Sequence, residues 1–356
     1  MEIKEEDKEN HLNQAIERGI AYLEDHQLPN GEFLFYMSGD DAMQSWNLPE
    51  SSVFPSALIG NCLLGLKKRD KVEQILLNTA NFLRYQMDRG GVWGHFTILH
   101  RLRNVCPNDL DDTACVSDFL KSMKFDFPME RNQQLILDSR RSDGLYYTWI
   151  TFRFKPNKNI IYWYYALKEL KYVFKSFLFW YYSECSRYDV DAVVNANVLY
   201  YLGKRNETQS IIQHLIHVIK ENKEDDCDKW YRSTLIVYYF IVRNIPAGIS
   251  ELKEIQPELI NRILSKFLKD GSFGDSELET AVAISSLIFL KYHGPEVEHG
   301  INHLIKTQSE RGNWKRWGVY FSGKKQLQCW GSEELTTAFC LEALGLYENL
   351  RSNKLG

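Results

Sequence analysis

Apolar positions along this 356-residue chain recur at helical spacing, and two kinds of segment alternate. One kind is apolar almost all round and rich in small residues, over 53–66, 109–123, 189–202, 231–243, 277–292 and 333–347. The other carries a charged stripe, over 10–27, 70–86, 207–221, 255–267 and 296–308, with 160–181 supplying a sixth. A helix apolar on every side belongs inside a fold, and one with a charged stripe belongs outside. Strict apolar–polar alternation bounded by hairpin turns does not occur, so strands should be few. Six inner and six outer helices in alternation predict an all-α protein, a single (α/α)6 barrel.

A short motif ties the alternation together. After a charged helix come a Gln, a Gly turn and an aromatic: Gln27, Gly31 and Phe33; Gln86, Gly90, Gly91 and Trp93; Gln308, Gly312 and Trp314. A degenerate copy keeps Gly271 and Phe273 without the Gln. Glycine supplies a turn conformation that other residues resist, and the aromatic can then fold back onto the helix it has left. No Pro/Gly/Ser-rich linker divides residues 1–356, so one domain is expected. One interval is too long for the repeat. The aromatic-rich insertion at about 125–182 includes Tyr146, Trp149, Phe152, Phe154, Trp163, Phe174, Phe177 and Trp180. It reads as an aromatic outer helix packed on its neighbours, or as a lid, a dimer face or a membrane-touching patch.

Composition narrows the function. Aromatic residues reach 13%, which suits a large apolar cavity or a plain aromatic core. The balance of 43 basic and 47 acidic residues, net −4, argues against a general nucleic-acid binder. Seven cysteines without a C-x-x-C pair argue against a disulfide framework and a zinc knuckle. The charged start is no signal peptide and no apolar run is long enough to span a bilayer, so a soluble, cytoplasmic protein is expected.

Several inner helices open with acids, and in such a barrel these starts share one mouth. Capping and the helix dipole account for Asp189, Glu277 and Glu333 taken singly. Asp109, Asp111 and Asp112 are different, because three carboxylates in four residues repel one another and one cap is enough. Crowding raises a carboxyl pKa, so one member can hold a proton at neutral pH. Facing a dry aromatic cavity, that carboxyl can protonate an alkene, whose cation is then held by aromatic faces rather than water. Wall candidates near the helix starts are Trp46, Phe54, Tyr188, Tyr231, Trp330 and Phe339. Arg187 and Arg232 are placed to meet a diphosphate, and His95 or His100 to hydrogen-bond the acid triplet.

The D-x-D-D-T-A stretch at 109–114, with the Q-x3-G-x-W repeats, resembles the class II terpene cyclases of the squalene–hopene, copalyl-diphosphate and drimenyl-diphosphate types. That resemblance implies the terpenoid cyclase/prenyltransferase toroid and a linear isoprenoid substrate such as farnesyl diphosphate. It assigns proton donation to Asp111, with Asp109 and Asp112 orienting and tuning it. It implies no cofactor for the acid step, with Mg2+ an optional aid to diphosphate binding. Familiar members pair two barrels, whereas this length allows one. The missing wall then falls to the aromatic insertion or a second subunit, and the same insertion is the candidate for a homodimer face or a peripheral membrane contact. Three rivals remain: a non-catalytic polyprenyl-binding barrel, a protein prenyltransferase-like barrel and a sugar-processing one. The second needs a zinc site, and Asp225-Asp226-Cys227 has no later His at an inner-helix start, so no metal site is expected. The third needs Asp111 paired with Glu279 or Asp191.

Overall fold

The computed structural model describes residues 5–151, 153, 157–323 and 328–355; Phe152 and Phe154 lie outside them. Its helices are α1 (Glu5–His26), α2 (Val53–Leu63), α3 (Val72–Tyr85), α4 (Leu110–Ser122), α5 (Met129–Asp138), α6 (Ile160–Lys171) and α7 (Val173–Tyr182), then α8 (Ala192–Leu202), α9 (Gln209–Lys220), α10 (Thr234–Val242), α11 (Gln256–Leu264), α12 (Glu277–Phe289), α13 (Pro295–Thr307) and α14 (Glu333–Leu355). Helices α2, α4, α8, α10, α12 and α14 pack each against the next, and α14 returns to α2, which closes the ring. The inner helices are apolar on all sides because all sides are covered: α10 buries every residue from Leu235 to Val242. An outer helix such as α9 buries one stripe, made by Ile211, Ile212, Leu215, Ile216, Val218 and Ile219. The fold is an all-α (α/α)6 barrel.

The outer ring differs from expectation in one element. Its sixth member is α5, not 160–181. After α5 come Arg140, Gly144 and Tyr146, the same turn with Arg in place of Gln. Gly144 has φ +90°, against +90° at Gly31 and +94° at Gly312. Arg140 Nε donates to the Gly144 carbonyl (3.3 Å), as Gln27 Nε2 does to Gly31 (3.2 Å) and Gln308 Nε2 to Gly312 (2.8 Å). Helices α6 and α7 are therefore additional to the two rings.

The turn aromatics are braces. Trp93 Nε1 donates to Leu83 O (2.7 Å) and Trp314 Nε1 to Leu304 O (2.9 Å), so both indoles are buried and satisfied. The backbone N–H of each turn aromatic then donates to a side chain of the following inner helix. Phe33 donates to Ser56, Trp93 to Thr113, Tyr146 to Asn195, Phe273 to Thr280 and Trp314 to Thr337, all at 2.9–3.2 Å. These clamps fix the mouth at which the inner helices begin. Four short antiparallel strands, β1 (Phe35–Ser38), β2 (Asn47–Glu50), β3 (Tyr320–Phe321) and β4 (Cys329–Gly331), form a sheet in the order β2-β1-β4-β3. Strands β2 and β4 lead into α2 and α14, which sets the sheet beside the same mouth.

Candidate active site

Aligning the inner helices on their caps isolates the unusual residue. Asp109 is the N-cap of α4, and its Oδ1 accepts from Asp112 N at 2.8 Å. Ser276 does the same work for α12, accepting from Glu279 N at 3.0 Å. Two positions beyond the cap, where α4 carries Asp111, the sister helices carry Phe54, Val193, Leu235 and Leu278; α14 alone carries another acid there, Glu334, which accepts from the Tyr22 hydroxyl (3.5 Å) and does not line the cavity described below. Capping accounts for Asp109 and leaves Asp111 without a structural duty.

Asp111 is instead served by a converging set of donors. Asn197 Nδ2, on α8, donates to its Oδ1 (2.5 Å), and the Tyr231 hydroxyl, just before α10, donates to its Oδ2 (2.8 Å). Behind Asn197 lies Arg243, whose Nη2 donates to Asn197 Oδ1 at 2.6 Å. The Arg243 guanidinium is buried and lies over the rings of Tyr200 (4.5 Å) and Phe240 (4.7 Å). Burial pushes the Asp111 carboxyl up to about 7; the Asp109 charge adds to this, while the Asn197 and Tyr231 bonds and the Arg243 charge oppose it. Asp112 is buried more deeply, and burial with the Asp109 charge raises it well above the carboxylate range. Its Oδ1 has no hydrogen-bond partner, and its Oδ2 is 3.8 Å from His95 Nδ1. Burial lowers His95 to about 3, so its ring is neutral and the two do not form an ion pair at neutral pH. His95 meets the Tyr320 hydroxyl instead, at 2.9 Å, and His100 stacks on Phe96.

In front of the triplet is a cavity of about 150 Å³. Its walls include Phe54, Phe96, Trp149, Phe179, Trp230, Tyr231, Tyr320 and Trp330, with all three aspartates on one side. Trp149 meets Phe179, Trp180 and Trp230 edge-on at 5.5–5.7 Å between centroids. Trp330 stacks on Tyr320 at 5.4 Å across β3 and β4. Such a chamber offers ring faces to a cation and few polar groups to water.

Of the residues expected at the site, the fold brings together Asp109, Asp111, Asp112, Phe54, Tyr231 and Trp330. The others fall elsewhere. Trp46 precedes β2, the outermost strand on its side of the sheet, and is half-exposed. Tyr188 is exposed and meets Tyr147. Phe339 lies almost two turns into α14 and packs edge-on against Tyr239 in the core. Arg187 pairs with Glu169 at 2.8 Å. Arg232 lies over Phe321 and donates to Gly323 O at 3.0 Å. Neither arginine lines the cavity. Trp149 and Phe179, from the aromatic insertion, also line the cavity, while Trp230, Tyr320, Asn197 and Arg243 are not among the residues expected at the site. Asn197 and Arg243 are polar residues in mainly apolar inner segments, but nothing in the sequence pairs them with Asp111. The rival acids are committed elsewhere. Asp191 accepts from Thr148 (2.6 Å) and Trp230 Nε1 (3.1 Å), and Glu279 from Ser233 (2.5 Å) and Asp275 N (2.7 Å); neither lines the cavity. Among the described residues no group of three His, Cys, Asp or Glu side chains could hold a metal ion.

No protein-family model and no curated protein matches the chain. Solved structures do. A protein from Actinoplanes is similar at 15% identity over 95% of this chain and 99% of its own, with a TM-score of 0.70. The type II terpene cyclase MstE from Scytonema is similar at 15% identity over 96% and 99%, with a TM-score of 0.68; a variant of it was solved with geranylgeranyl dihydroxybenzoate as substrate. The GH76 alpha-mannanase of Bacteroides thetaiotaomicron is more distant, at 12% identity over 96% and 97% and a TM-score of 0.54. The shared feature is the fold: a terpene-cyclase-like α/α barrel, which sugar-processing enzymes also use.

Proposed function

We propose that the protein is a class II terpene cyclase, which cyclises a linear isoprenoid by protonating its terminal alkene. The observation that carries this is Asp111, a carboxyl held near its point of half-protonation, lining an aromatic chamber and accepting hydrogen bonds from Asn197 and Tyr231. Each carboxyl oxygen has a second lone pair, so Asp111 can carry a proton while both donors stay engaged. The Asp111 O–H bond breaks as the proton joins the CH carbon of the terminal alkene, leaving a tertiary carbocation at its dimethyl carbon and a carboxylate. The two donors and the charge of Arg243 stabilise that carboxylate, which makes Asp111 the better acid. Asp112, with no donor at Oδ1, would leave an unsupported anion. The internal alkenes then attack in turn, each forming a carbon–carbon bond and passing the cation inward along ring faces such as Trp330, Trp149 and Trp230. Loss of a proton to a base or water ends the sequence, and Asp111 regains its proton from solvent. The net reaction is an isomerisation. Asp109 holds the turn of α4 that aims the acid.

The acid step itself draws on no metal ion; Mg2+ would assist a substrate that bears a diphosphate. MstE was solved with a geranylgeranyl chain on an aromatic head, and Arg187 and Arg232 lie outside the cavity, so the chain rather than the head is the common recognition element. The test is incubation with farnesyl diphosphate, geranylgeranyl diphosphate, a geranylgeranylated phenol and squalene, followed by extraction with and without phosphatase treatment. A cyclic product from at least one substrate, reduced about 10²–10⁴-fold by Asp111→Asn, is expected for a general acid. A product undiminished in Asp111→Asn would remove Asp111 from the mechanism, and lipid binding without product would leave a binding barrel.

A further inference from the structure

Helices α6 and α7 carry apolar side chains on both faces. On the inner face Tyr162 and Tyr165 are buried, the Tyr165 hydroxyl donates to Arg89 O (2.5 Å), and Lys168 pairs with Asp88 (3.0 Å). These contacts fix the orientation of α6, and its other face points outward. There Ile160, Trp163, Leu167 and Leu170 are exposed, and on α7 Phe174, Phe177, Leu178 and Tyr181. Spacings of three and four residues place each set on a single stripe. The exposure is large: 83% at Ile160, 73% at Phe174 and 71% at Tyr181.

Charge and position identify the occupant. Lys171 and Lys175 are exposed on this pair of helices, and its one acid, Glu169, is neutralised by Arg187. The chain as a whole is net negative, at −4, so a basic, aromatic stripe stands out against it. A second copy docked on the stripe would face lysines with lysines. An anionic bilayer surface satisfies both features, taking the aromatics among its acyl chains and the lysines at its headgroups. The same α7 contributes Phe179 to the cavity wall, so the outward stripe and the chamber are two faces of one element. Among the described residues no helix is long and apolar enough to cross a membrane, which leaves contact in the interfacial plane.

We propose that α6 and α7 dock the protein on the surface of an anionic lipid bilayer, with the cavity behind α7. This goes beyond the cyclase reading and stands or falls apart from the chemistry at Asp111. The test is flotation of the full chain with vesicles of phosphatidylcholine, with and without phosphatidylserine. The wild-type protein and Asp111→Asn are expected to float, more completely with phosphatidylserine. Phe174→Glu/Phe177→Glu should lower the partition coefficient about a hundredfold or more. Lys171→Glu/Lys175→Glu should remove the phosphatidylserine increment, about tenfold. All four lysine and phenylalanine positions are exposed, so circular dichroism and Tm should be unchanged. A wild-type chain that stays unbound with both vesicles overturns the proposal. So does a lipid-free dimer, seen by sedimentation, that Phe174→Glu/Phe177→Glu dissolves, because the stripe would then belong to a second copy.

Discussion

A carboxyl that gives its proton to carbon must be protonated before the step and tolerable as an anion after it. Asp111 meets both conditions through opposing influences: burial raises it, while Asn197 and Tyr231 restrain the rise. Tyr231→Phe removes one restraint. The carboxyl should rise further, turnover should fall about 10- to 100-fold, and the alkaline limb of the pH–rate profile should move upward. In the wild type that limb should fall above about pH 7, as the acid ionises. The same shift has a stability consequence. A carboxyl raised from 3.8 to about 7 is penalised when charged, so its effect on stability is absent at low pH and develops as pH climbs between those values. Asp111→Asn should therefore be more stable than the wild type at pH 8 and lose that advantage below pH 4. The gain is on the order of 4 kcal/mol, measured by denaturant titration at both pH values. The triplet was legible because it exceeds what a cap requires. Its supports were not, since Asn197 and Arg243 come from helices far along the chain, and only closure of the ring brings them behind Asp111.

At the scale of elements, the inner helices announced themselves by being apolar all round, and their N-terminal acids by sharing one mouth. The sixth outer helix was hidden by a single replacement. With Arg140 where the repeat has Gln, the turn at Gly144 did not register, and the aromatic pair α6–α7 stood in for α5. Five of the expected contact residues fall outside the cavity for local reasons: Phe339 lies too deep in α14, Trp46 sits near an outer strand, Tyr188 is exposed beside Tyr147, and Arg187 and Arg232 have partners of their own. The turn aromatics carry the repeat's rigidity. Trp93→Phe keeps the ring in place but orphans Leu83 O, and should cost about 1–3 kcal/mol in a denaturant titration. The clamp from the Trp93 N–H to Thr113 is a backbone bond that Trp93→Phe keeps; Thr113→Val removes its acceptor and should lower the proposed cyclase activity at temperatures where secondary structure persists.

The molecule as a whole is a ring in which each inner helix has two inner neighbours and α14 seals against both α1 and α2. No inner helix can leave without exposing the flanks of two others. Unfolding followed by far-ultraviolet circular dichroism and by tryptophan fluorescence should therefore give one coincident transition; two separated midpoints would divide the chain into independent units. The barrel mouth is also enclosed: β3, β4, α7 and the segment around Trp149 contribute walls to the chamber that Asp111 lines. The central claim is that the proton on Asp111 becomes a carbon–hydrogen bond of the product. Running the reaction in deuterium oxide and locating the label by mass spectrometry and NMR tests this most directly. One deuterium on the ring methylene next to the gem-dimethyl carbon, which is the former CH of the terminal alkene, with the label and the product both lost in Asp111→Asn, is the result predicted. A cyclic product without deuterium at that terminus would mean that the cation arises some other way.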